Sequence, residues 1–495
     1  MSEQQSSYRQ IMKATSIFGS VQVFQIIISI IQSKFIAVLL GPQGVGIVGL
    51  LNSTLAFIAG LTGFGLGTSS VKNIAAANGT GDFKKISIVI TVLRRLVWIT
   101  GLLGTLITII LAPLLSQITF GTRDYTLAFI WISVTLLFKQ LSSGQMAILQ
   151  GMRKIQYLAK ANLSGNILGL IITIPLYFYW GLDGIVPGII GSSIVSLASS
   201  WFFVNKIKIE QIKVSNLRTI VEGKEMLTLG FMISLSGIIT LGTSYIIRIF
   251  ISHLNGIEQV GLYNAGFAII NTYVGLVFTA MGTDYFPRLS SVVHNNEKAI
   301  IIINQQAEIA LLILSPILII FLVFINKIII ILYSTKFIPV NDMILWAALG
   351  IFFKATSWSI AYMLLAKGDP KLYFWNELLS NFYILLLNIF GYYLLGLTGL
   401  GISFMIGYIF YLLQMFFVSK IKYKFTFNRE FYKIFITQFL LAIVCFILVR
   451  FSSYVYPYIF GSMIIIISSV YSYRELDKRL NLPQLLISIK EKFYG

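Results

Sequence analysis

The chain has 495 residues, of which 57% are hydrophobic and only 11% are charged. Soluble globular proteins carry about 25% charged residues, so this composition excludes a soluble enzyme. The formal net charge of +19 comes from cations placed between apolar runs rather than on one basic domain, which argues against a nucleic-acid partner and for a membrane protein.

Fourteen apolar segments along the chain have the length of membrane-spanning helices, because a bilayer core requires about 20 residues of helix. We therefore predict an all-α membrane protein with about 14 transmembrane helices. The last two segments are joined by a short loop, so twelve spans and a re-entrant pair is the alternative. The predicted spans are residues 14–40, 45–68, 88–115, 125–149, 159–180, 185–204, 226–253, 262–284, 301–326, 342–366, 372–395, 399–419, 434–450 and 457–473.

The distribution of cations predicts the orientation of these spans. The segments on the N-terminal side of the membrane hold most of the 37 Lys and Arg residues, including the loops 205–225 and 420–433. Cytoplasmic loops are enriched in Lys and Arg, so we predict that both termini are cytoplasmic. Anionic lipid headgroups then become partners of these cations. The opposite side has only Arg123, Lys327, Lys336 and Arg450.

Short motifs in the first half of the chain recur in the second half at one constant spacing, which is the spacing between Val45 and Val260. This recurrence predicts an internal duplication. Val45-Gly46-Ile47 corresponds to Val260-Gly261-Leu262, and the sequence Gly-Leu-Asp-Gly at 181–184 corresponds to Gly-Leu-Thr-Gly at 396–399. Because each half would hold six spans, the two lobes would be parallel and related by a pseudo-twofold axis along the membrane normal. The predicted organisation is a six-helix lobe (1–204), a cytoplasmic linker (205–225), a second six-helix lobe (226–420), an extra helix pair (434–473) and a cytoplasmic tail (474–495).

The repeat also pairs four cations that lie within predicted spans. The same offset relates Lys139 to Lys354, and it relates Lys34 to within one position of Arg248. A charge at the bilayer centre costs about 2.5–3.5 kcal/mol on insertion scales, so such residues face a cavity or a partner. Snorkelling is the alternative for Lys34 and Arg248, which lie nearer an interface.

For Lys139 and Lys354 the alternative is an ion pair with a buried acid. Acids are scarce in the predicted spans, and Asp284, Glu308 and Glu377 all lie toward cytoplasmic ends. We therefore favour four cations that line one cavity. Such a cavity would bind an anion, and a lipid-linked phosphate would suit a site that opens toward the bilayer.

Signals for catalysis, a metal or a cofactor are weak. Cys445 is the single cysteine, and His253 and His294 lie in different loops without ligand partners. The glycine-rich stretch 63–67 follows a membrane helix rather than a strand, so helix packing explains it better than phosphate binding. We predict that the chain is not an enzyme and uses no metal and no cofactor.

Four stretches resemble a known transporter family. They run from Lys34 to Gly46, from Gly63 to Lys72, from Asp284 to Ser290, and from Tyr333 through Trp346 and Lys354 to Tyr373. They are similar to Wzx-type flippases, the O-antigen and enterobacterial common antigen (lipid III) translocases of the multidrug/oligosaccharidyl-lipid/polysaccharide exporter superfamily. The likeness covers roughly residues 10 to 420. Spans thirteen and fourteen exceed the twelve that are typical of the lipid III relative.

The resemblance implies a flippase of the bacterial inner membrane that serves surface polysaccharide biosynthesis of the O-antigen or common antigen type. Its substrate would be an undecaprenyl-pyrophosphate-linked oligosaccharide, moved by alternating access. A polysaccharide polymerase and chain-length machinery would be functional partners. The residues expected to contact the pyrophosphate are Lys34, Lys139, Arg248 and Lys354, and the weaker candidates for ion coupling are Asp284 and Glu377.

Two other functions are alternatives to this one. A multidrug extruder of the same superfamily would have the same fold, but a cationic drug would require acids deep within a lobe. A membrane polysaccharide polymerase or ligase would carry a large outer loop with catalytic charges, whereas the predicted outer loops are only a few residues long.

Overall fold

A computed structural model gives the backbone of residues 3–207, 209–210, 212–292, 294–451 and 456–480. Within these ranges the side chains of 3–23, 272–273, 276, 279–280, 282–284, 287, 370 and 480 are not described. The described ranges hold fourteen α-helices and no β-strand, as the apolar composition predicts.

The helices follow one another with short connections. A π-helical turn (Ile269–Tyr273) joins the eighth and ninth helices, and a 3-10 turn precedes the sixth (Gly181–Gly184) and the eleventh (Thr335–Val340). In chain order the helices are α1 (Glu3–Thr62), α2 (Leu66–Gly79), α3 (Phe83–Phe120), α4 (Thr126–Gly151), α5 (Ile155–Trp180), α6 (Ile185–Asn205), α7 (Asn216–Asn255), α8 (Ile257–Ala268), α9 (Gly275–Ser291), α10 (Asn296–Leu332), α11 (Asn341–Ala366), α12 (Pro370–Tyr423), α13 (Arg429–Phe451) and α14 (Tyr456–Leu480).

The predicted spans fall on these helices. α1 contains the first span and most of the second, divided by non-helical backbone at Gly41, and α12 contains the eleventh and twelfth, divided at Gly396. Nine helical segments of the described chain are long and apolar enough to cross a membrane. The all-α membrane fold is therefore confirmed, and the count of fourteen crossings stays a prediction.

Several helices extend beyond the apolar segments that predicted them, because their first turns are polar and capped. α3 begins after Asp82, whose carboxylate accepts a hydrogen bond from the backbone N–H of Lys84 at 2.9 Å. α7 begins inside the predicted linker 205–225, after Ser215, whose hydroxyl accepts from the N–H of Arg218 at 3.3 Å. Such caps satisfy N–H groups that the helix itself leaves unpaired, and hydropathy does not detect them.

The first of two compact units comprises Met1–Asn264 and Leu332–Lys336. Its core includes the fully buried Ile74 on α2, which packs with residues of α3 and α4. At Gly65 and Gly230 the backbones of the turn before α2 and of α7 touch, so that a Cβ atom at either position would meet the other backbone. Glycine at both positions allows this close approach.

The second unit comprises Ala265–Ile331 and Phe337–Gly495. Within it, α13 packs on α11 through aromatic rings, for example Phe353 and Phe439 with centroids 5.1 Å apart. Gln438 on α13 is buried and hydrogen-bonds with α14. The C-terminal helix pair is thus an integral part of this unit.

Local backbone structure repeats at the spacing found in the sequence. After α4 the N–H of Lys154 donates to the carbonyl of Leu149 at 2.8 Å, and after α11 the N–H of Asp369 donates to the carbonyl of Leu364 at 3.3 Å. These are the same Schellman-type cap at equivalent positions of the repeat. Residues with positive φ recur at the same spacing, in the pairs Gly41 and Gly256, Arg153 and Gly368, and Gly181 and Gly396. The division into lobes that end at residues 204 and 420 stays a prediction.

Candidate substrate-binding site

Lys139 and Lys354 occupy the same place in two helices of equal length. α4 and α11 each have 26 residues, and each lysine is the fourteenth residue of its helix. At a rise of about 1.5 Å per residue, both lie about 20 Å from the helix start. The two cations are therefore equivalent in the repeat, one in each unit, near the middle of their helices.

Lys354 is half-buried and held by neutral groups of the second unit. Its ammonium donates a hydrogen bond to Oδ1 of Asn271 at 2.9 Å. Three aromatic rings surround it, with centroids 5.8 Å away for Phe278, 5.7 Å for Phe404 and 5.3 Å for Tyr408. Ring faces attract cations without neutralising them. This aromatic cage therefore stabilises a positive charge and leaves it able to attract an anion.

Lys139 has no such cage. Its side chain is exposed, and it makes no hydrogen bond or ion pair with the side chains and backbone that the structure describes. In the first half of the repeat, the positions equivalent to the four partners of Lys354 hold Ala56, Gly63, Ile189 and Ser193, none of which has an aromatic ring. The equivalent cations thus have different surroundings, open in the first unit and caged in the second.

Lys34 lies in the first unit, seven residues before the break of α1 at Gly41. It is partly buried, and its ammonium donates a hydrogen bond to the backbone carbonyl of Tyr333 at 2.6 Å. Tyr333 follows directly on the last residue of α10, so this cation lies near a helix end.

Arg248 also lies near a helix end in the first unit, eight residues before Gly256. Its Nε donates to Oδ1 of Asn264 at 2.8 Å, and its Nη1 donates to the carbonyl of Ser244 at 2.8 Å. The guanidinium carbon is 5.4 Å from the centroid of the Tyr263 ring. No described carboxylate lies within ion-pair distance of it, so no described acid neutralises Arg248.

Three of the four predicted cations thus belong to the first unit and one to the second. The prediction that all four line one cavity stays a prediction. Lys34, Arg248 and Lys354 contact neutral oxygen atoms or rings, and Lys139 is open to its surroundings.

Glu377 on α12 connects to the aromatic cage through two tyrosines. Its Oε1 accepts a hydrogen bond from the hydroxyl of Tyr411 at 2.6 Å. The ring of Tyr411 packs edge-on against Tyr408, a member of the cage of Lys354, with centroids 6.2 Å apart. The carboxylate and the cation are therefore linked by a short chain of contacts. Asp284, the other predicted coupling acid, lies in α9, and its side chain is outside the described residues.

Beside Glu377, an amide network that was not predicted from the sequence joins the two parts of α12. Nε2 of Gln414 donates to Oδ1 of Asn376 at 2.7 Å, and the hydroxyl of Tyr383 donates to Oε1 of Gln414 at 3.0 Å. The sequence signal for this network was the presence of the polar residues Asn376, Tyr383 and Gln414 within predicted spans eleven and twelve. The network fixes the two parts of α12 against each other next to the acid.

A second polar cluster, also missed from the sequence, anchors the C-terminal helix pair. Nε of Arg479 on α14 donates to Oε2 of the buried Glu308 on α10 at 2.8 Å, and Nη1 donates to Oε2 of Glu475 at 2.6 Å. Asn428, just before α13, donates to Oε1 of Glu308 at 2.8 Å. Glu308, Asn428 and Arg479 border a cavity of about 560 Å³ within the second unit. Glu308 is thus a structural anchor and not a partner of Lys354.

Comparison with known proteins decides the family. Residues 11–293, more than half of the chain, match the family described as polysaccharide biosynthesis proteins. The chain belongs to this family. The resemblance that the motifs predicted is therefore confirmed.

Groups of three or more His, Cys, Asp or Glu residues that could hold a metal are absent from the described residues.

The named relatives of this chain are transporters and flippases rather than enzymes. The chain is 24% identical over 271 residues to a Shigella flexneri protein named as a putative O-antigen transporter, a match that spans 54% of this chain and 63% of the relative. It is 20% identical over 385 residues to the lipid III flippase of Escherichia coli K12, spanning 76% of this chain and 90% of the relative.

Two solved structures have the same fold and align with most of this chain. The lipid II flippase MurJ in its inward closed conformation matches with a TM-score of 0.71 at 14% identity, covering 95% of this chain and 99% of MurJ. An inward-facing multidrug resistance transporter of the MATE family matches with a TM-score of 0.69 at 14% identity, covering 85% of this chain and 99% of the transporter. The chain therefore has the fold of this transporter superfamily.

Proposed function

We propose that the protein is a flippase that moves an undecaprenyl-pyrophosphate-linked oligosaccharide across the bacterial cytoplasmic membrane by alternating access. The observation that carries the proposal is the pair Lys139 and Lys354, two cations at equivalent positions in the middle of membrane helices. The polar contacts of Lys354 are to a neutral amide and aromatic rings, and Lys139 is open. Cations this deep require an anion or water to offset their desolvation.

The pyrophosphate of a lipid-linked glycan supplies such an anion. The names of the two relatives, an O-antigen transporter and a lipid III flippase, support a substrate of this class and a role in surface polysaccharide biosynthesis. In our proposal Lys139 and Lys354 contact the pyrophosphate directly. Lys34 and Arg248 contact it near the outer helix ends, where the side chain of each donates a hydrogen bond to a neutral oxygen atom.

Coupling to an ion gradient is assigned to Glu377, with Asp284 as a second candidate. Glu377 is a carboxylate whose hydrogen-bond donor, Tyr411, packs against the cage of Lys354. A change in the charge of Glu377 would therefore act on the caged cation through two side chains. A multidrug extruder shares the fold but would have to carry its cationic drug past these lysines.

The proposal includes the orientation and the partners. Both termini lie in the cytoplasm, as the distribution of cations favours, and a polymerase with its chain-length machinery receives the translocated glycan. The oligosaccharide is exposed to that polymerase only after it has crossed the membrane, so the flippase acts upstream of polymerisation.

Complementation of surface-glycan export in a flippase-null strain tests the function, with the membrane abundance of each variant measured. Lys139→Arg and Lys354→Arg should retain much of the export, since the charge survives although the geometry changes. Alanine at either position should lose most of it, and glutamate should abolish it by repelling the pyrophosphate. Lys327→Ala, which removes an exposed lysine near the end of α10, is the matched control.

The proposal is wrong if alanine at both Lys139 and Lys354 exports normally at normal abundance. Export of a cationic drug with no effect on surface glycan would instead favour the multidrug extruder.

A further inference from the structure

Two neighbouring grooves in the first unit share one arginine. The larger, which we call the α4 groove, lies over α4 between α3 and α6 and has a volume of about 700 Å³. It is lined by Arg94, Trp98, Gln145, Trp201 and Asn205 among apolar residues. The smaller, the α7 groove, lies between α3 and α7 and has a volume of about 540 Å³. Arg94 and Trp98 line both grooves.

Arg94 has no partner in the described protein that would neutralise it. Its guanidinium makes no hydrogen bond or ion pair with the described residues, and its Nε is buried from solvent. In the α4 groove, Oε1 of Gln145 is likewise buried without a donor. A buried charged group without a hydrogen-bond partner costs free energy of folding. A ligand that carries both an anionic group and a hydrogen-bond donor therefore fits this position.

Apart from Asn205, the rest of the α4 groove is apolar and open, and the α7 groove has Thr91, Arg95, Asn216 and Thr219 beside its apolar residues. Trp98 and Trp201 are 50% and 58% exposed, and Ile194 beside them is 47% exposed. Among the described residues, neither groove has an acidic side chain in its lining. Tryptophan is typical of the membrane interface, where the ring lies at the level of the headgroups.

Arg94 lies about 16 Å along α3 from its first residue, at the rise of an α-helix. That helix begins with Lys84 and Lys85, at the end that the cation distribution predicts to be cytoplasmic. A guanidinium at this depth can reach the headgroup phosphates of the adjacent leaflet.

We infer that Arg94 and its two grooves form a binding site for an anionic phospholipid of the cytoplasmic leaflet. The phosphate binds the Arg94 guanidinium, a headgroup hydroxyl donates to Gln145, and one acyl chain lies in each groove. Two grooves whose exposed surfaces are mainly apolar share Arg94, with Arg95 beside it in the α7 groove, and this arrangement matches a phosphodiester with two chains. A single polyprenyl chain would leave one groove empty, so this site is distinct from the transport substrate's.

Native mass spectrometry of the purified full-length protein in micelles containing phosphatidylglycerol or phosphatidylethanolamine tests the site. Wild type should retain phosphatidylglycerol in preference to phosphatidylethanolamine. Arg94→Ala should lower the retained phosphatidylglycerol about fivefold, the change expected from one basic residue at an anionic surface. Arg94→Lys should retain most of it, because the charge is kept.

Two further variants separate the groove from general electrostatics. Ala198→Trp fills the α4 groove without changing charge and should also lower phosphatidylglycerol retention, since Ala198 is an exposed lining residue. Lys84→Ala removes an exposed cation from the same helix outside both grooves and should leave retention unchanged. Unaltered elution volume and melting temperature show that each variant is folded.

Several outcomes would overturn the inference. Equal retention by wild type and Arg94→Ala would remove the role of the arginine, and equal retention of the two lipids would remove the preference for an anion. Displacement of phosphatidylglycerol by millimolar inorganic phosphate would make this a simple phosphate site. Displacement by a polyprenyl pyrophosphate alone would assign the grooves to the transport substrate.

Discussion

Gly181 and Gly396, which occupy equivalent positions in the repeat, have nearly the same backbone conformation. Their φ and ψ angles are 55° and −128° at Gly181, and 57° and −138° at Gly396. Residues other than glycine rarely adopt these backbone angles. Each glycine ends the helix that follows the helix with the central lysine, so the same turn recurs at the same place in both halves of the repeat.

Alanine at either glycine should destabilise the protein through backbone strain alone. A Cβ atom at Gly181 or Gly396 would meet no heavy atom within 4 Å, so steric overlap contributes nothing. We expect a loss of about 1–3 kcal/mol for each, seen as a lower melting temperature in detergent. Gly237→Ala is the control, because Gly237 is helical with equally open surroundings and should be neutral or slightly stabilising. Equal melting temperatures for all three variants would contradict the role of the turn.

Much of this arrangement was accessible from the sequence. The Gly-Leu-x-Gly motifs at 181 and 396 and the spacing of Lys139 and Lys354 predicted the duplication, and the structure gives both lysines the same helix position. Positional equivalence can be predicted because insertion of an apolar helix is a local property of the sequence. The surroundings of a residue are not local.

The aromatic cage of Lys354 illustrates what could not be predicted. Its rings come from two helices, α9 and α12, and Phe and Tyr are abundant throughout the chain, so nothing marks Phe278 or Tyr408 as cage residues. The pairing of Arg479 with Glu308 joins two residues that are far apart in the sequence and lies outside the repeat. Such contacts arise from packing, which a search for local periodicity does not detect.

Loss of one ring from the cage should impair export. Tyr408→Leu keeps an apolar side chain but removes the ring at 5.3 Å from the ammonium of Lys354, which costs about 0.5–2 kcal/mol of cation stabilisation. We expect reduced glycan export at normal membrane abundance in the complementation assay. Ser193→Ala is the matched control, since Ser193 takes the equivalent position in the first unit. Normal export by Tyr408→Leu would mean that the rings serve packing only.

The link from Tyr411 to Glu377 should govern ion coupling. Tyr411→Phe removes only the hydroxyl that donates to Glu377 at 2.6 Å, a bond to an ionisable group that is worth about 1.5–3 kcal/mol. In everted vesicles, Glu377→Gln should make transport insensitive to an imposed proton or sodium gradient, and Tyr411→Phe should shift that sensitivity. Tyr383→Phe removes a neighbouring hydroxyl that bonds to Gln414 instead and should behave as wild type. A normal gradient response in Glu377→Gln would exclude this acid from coupling.

The anchor of the C-terminal helix pair should make stability depend on pH. Hydrogen bonds from Lys478 at 2.7 Å and from Arg479 at 2.6 Å lower the pKa of Glu475 below its usual value of 4.5, although burial opposes them. A carboxyl whose pKa is lower in the folded state adds stability above its unfolded pKa and loses it as the pH falls through the folded pKa. The melting temperature should therefore decrease below pH 4.5, and Glu475→Gln should remove that part of the pH dependence.

Removal of the arginine should be more damaging than removal of either acid's charge. Glu308 and Glu475 have side chains only 6% and 7% exposed, and Arg479→Ala would leave both without their shared guanidinium. Breaking a buried ion pair from one side costs about 3–5 kcal/mol, so α14 should separate from α10 at a lower temperature than the rest of the protein unfolds. Cross-linking between cysteines placed on α10 and α14 reports this separation directly. Arg474→Ala, which removes an exposed arginine from the same helix, should leave both the cross-linking and the melting temperature unchanged; an equal loss in the two variants would show that net charge, and not the buried pair, holds the helix in place.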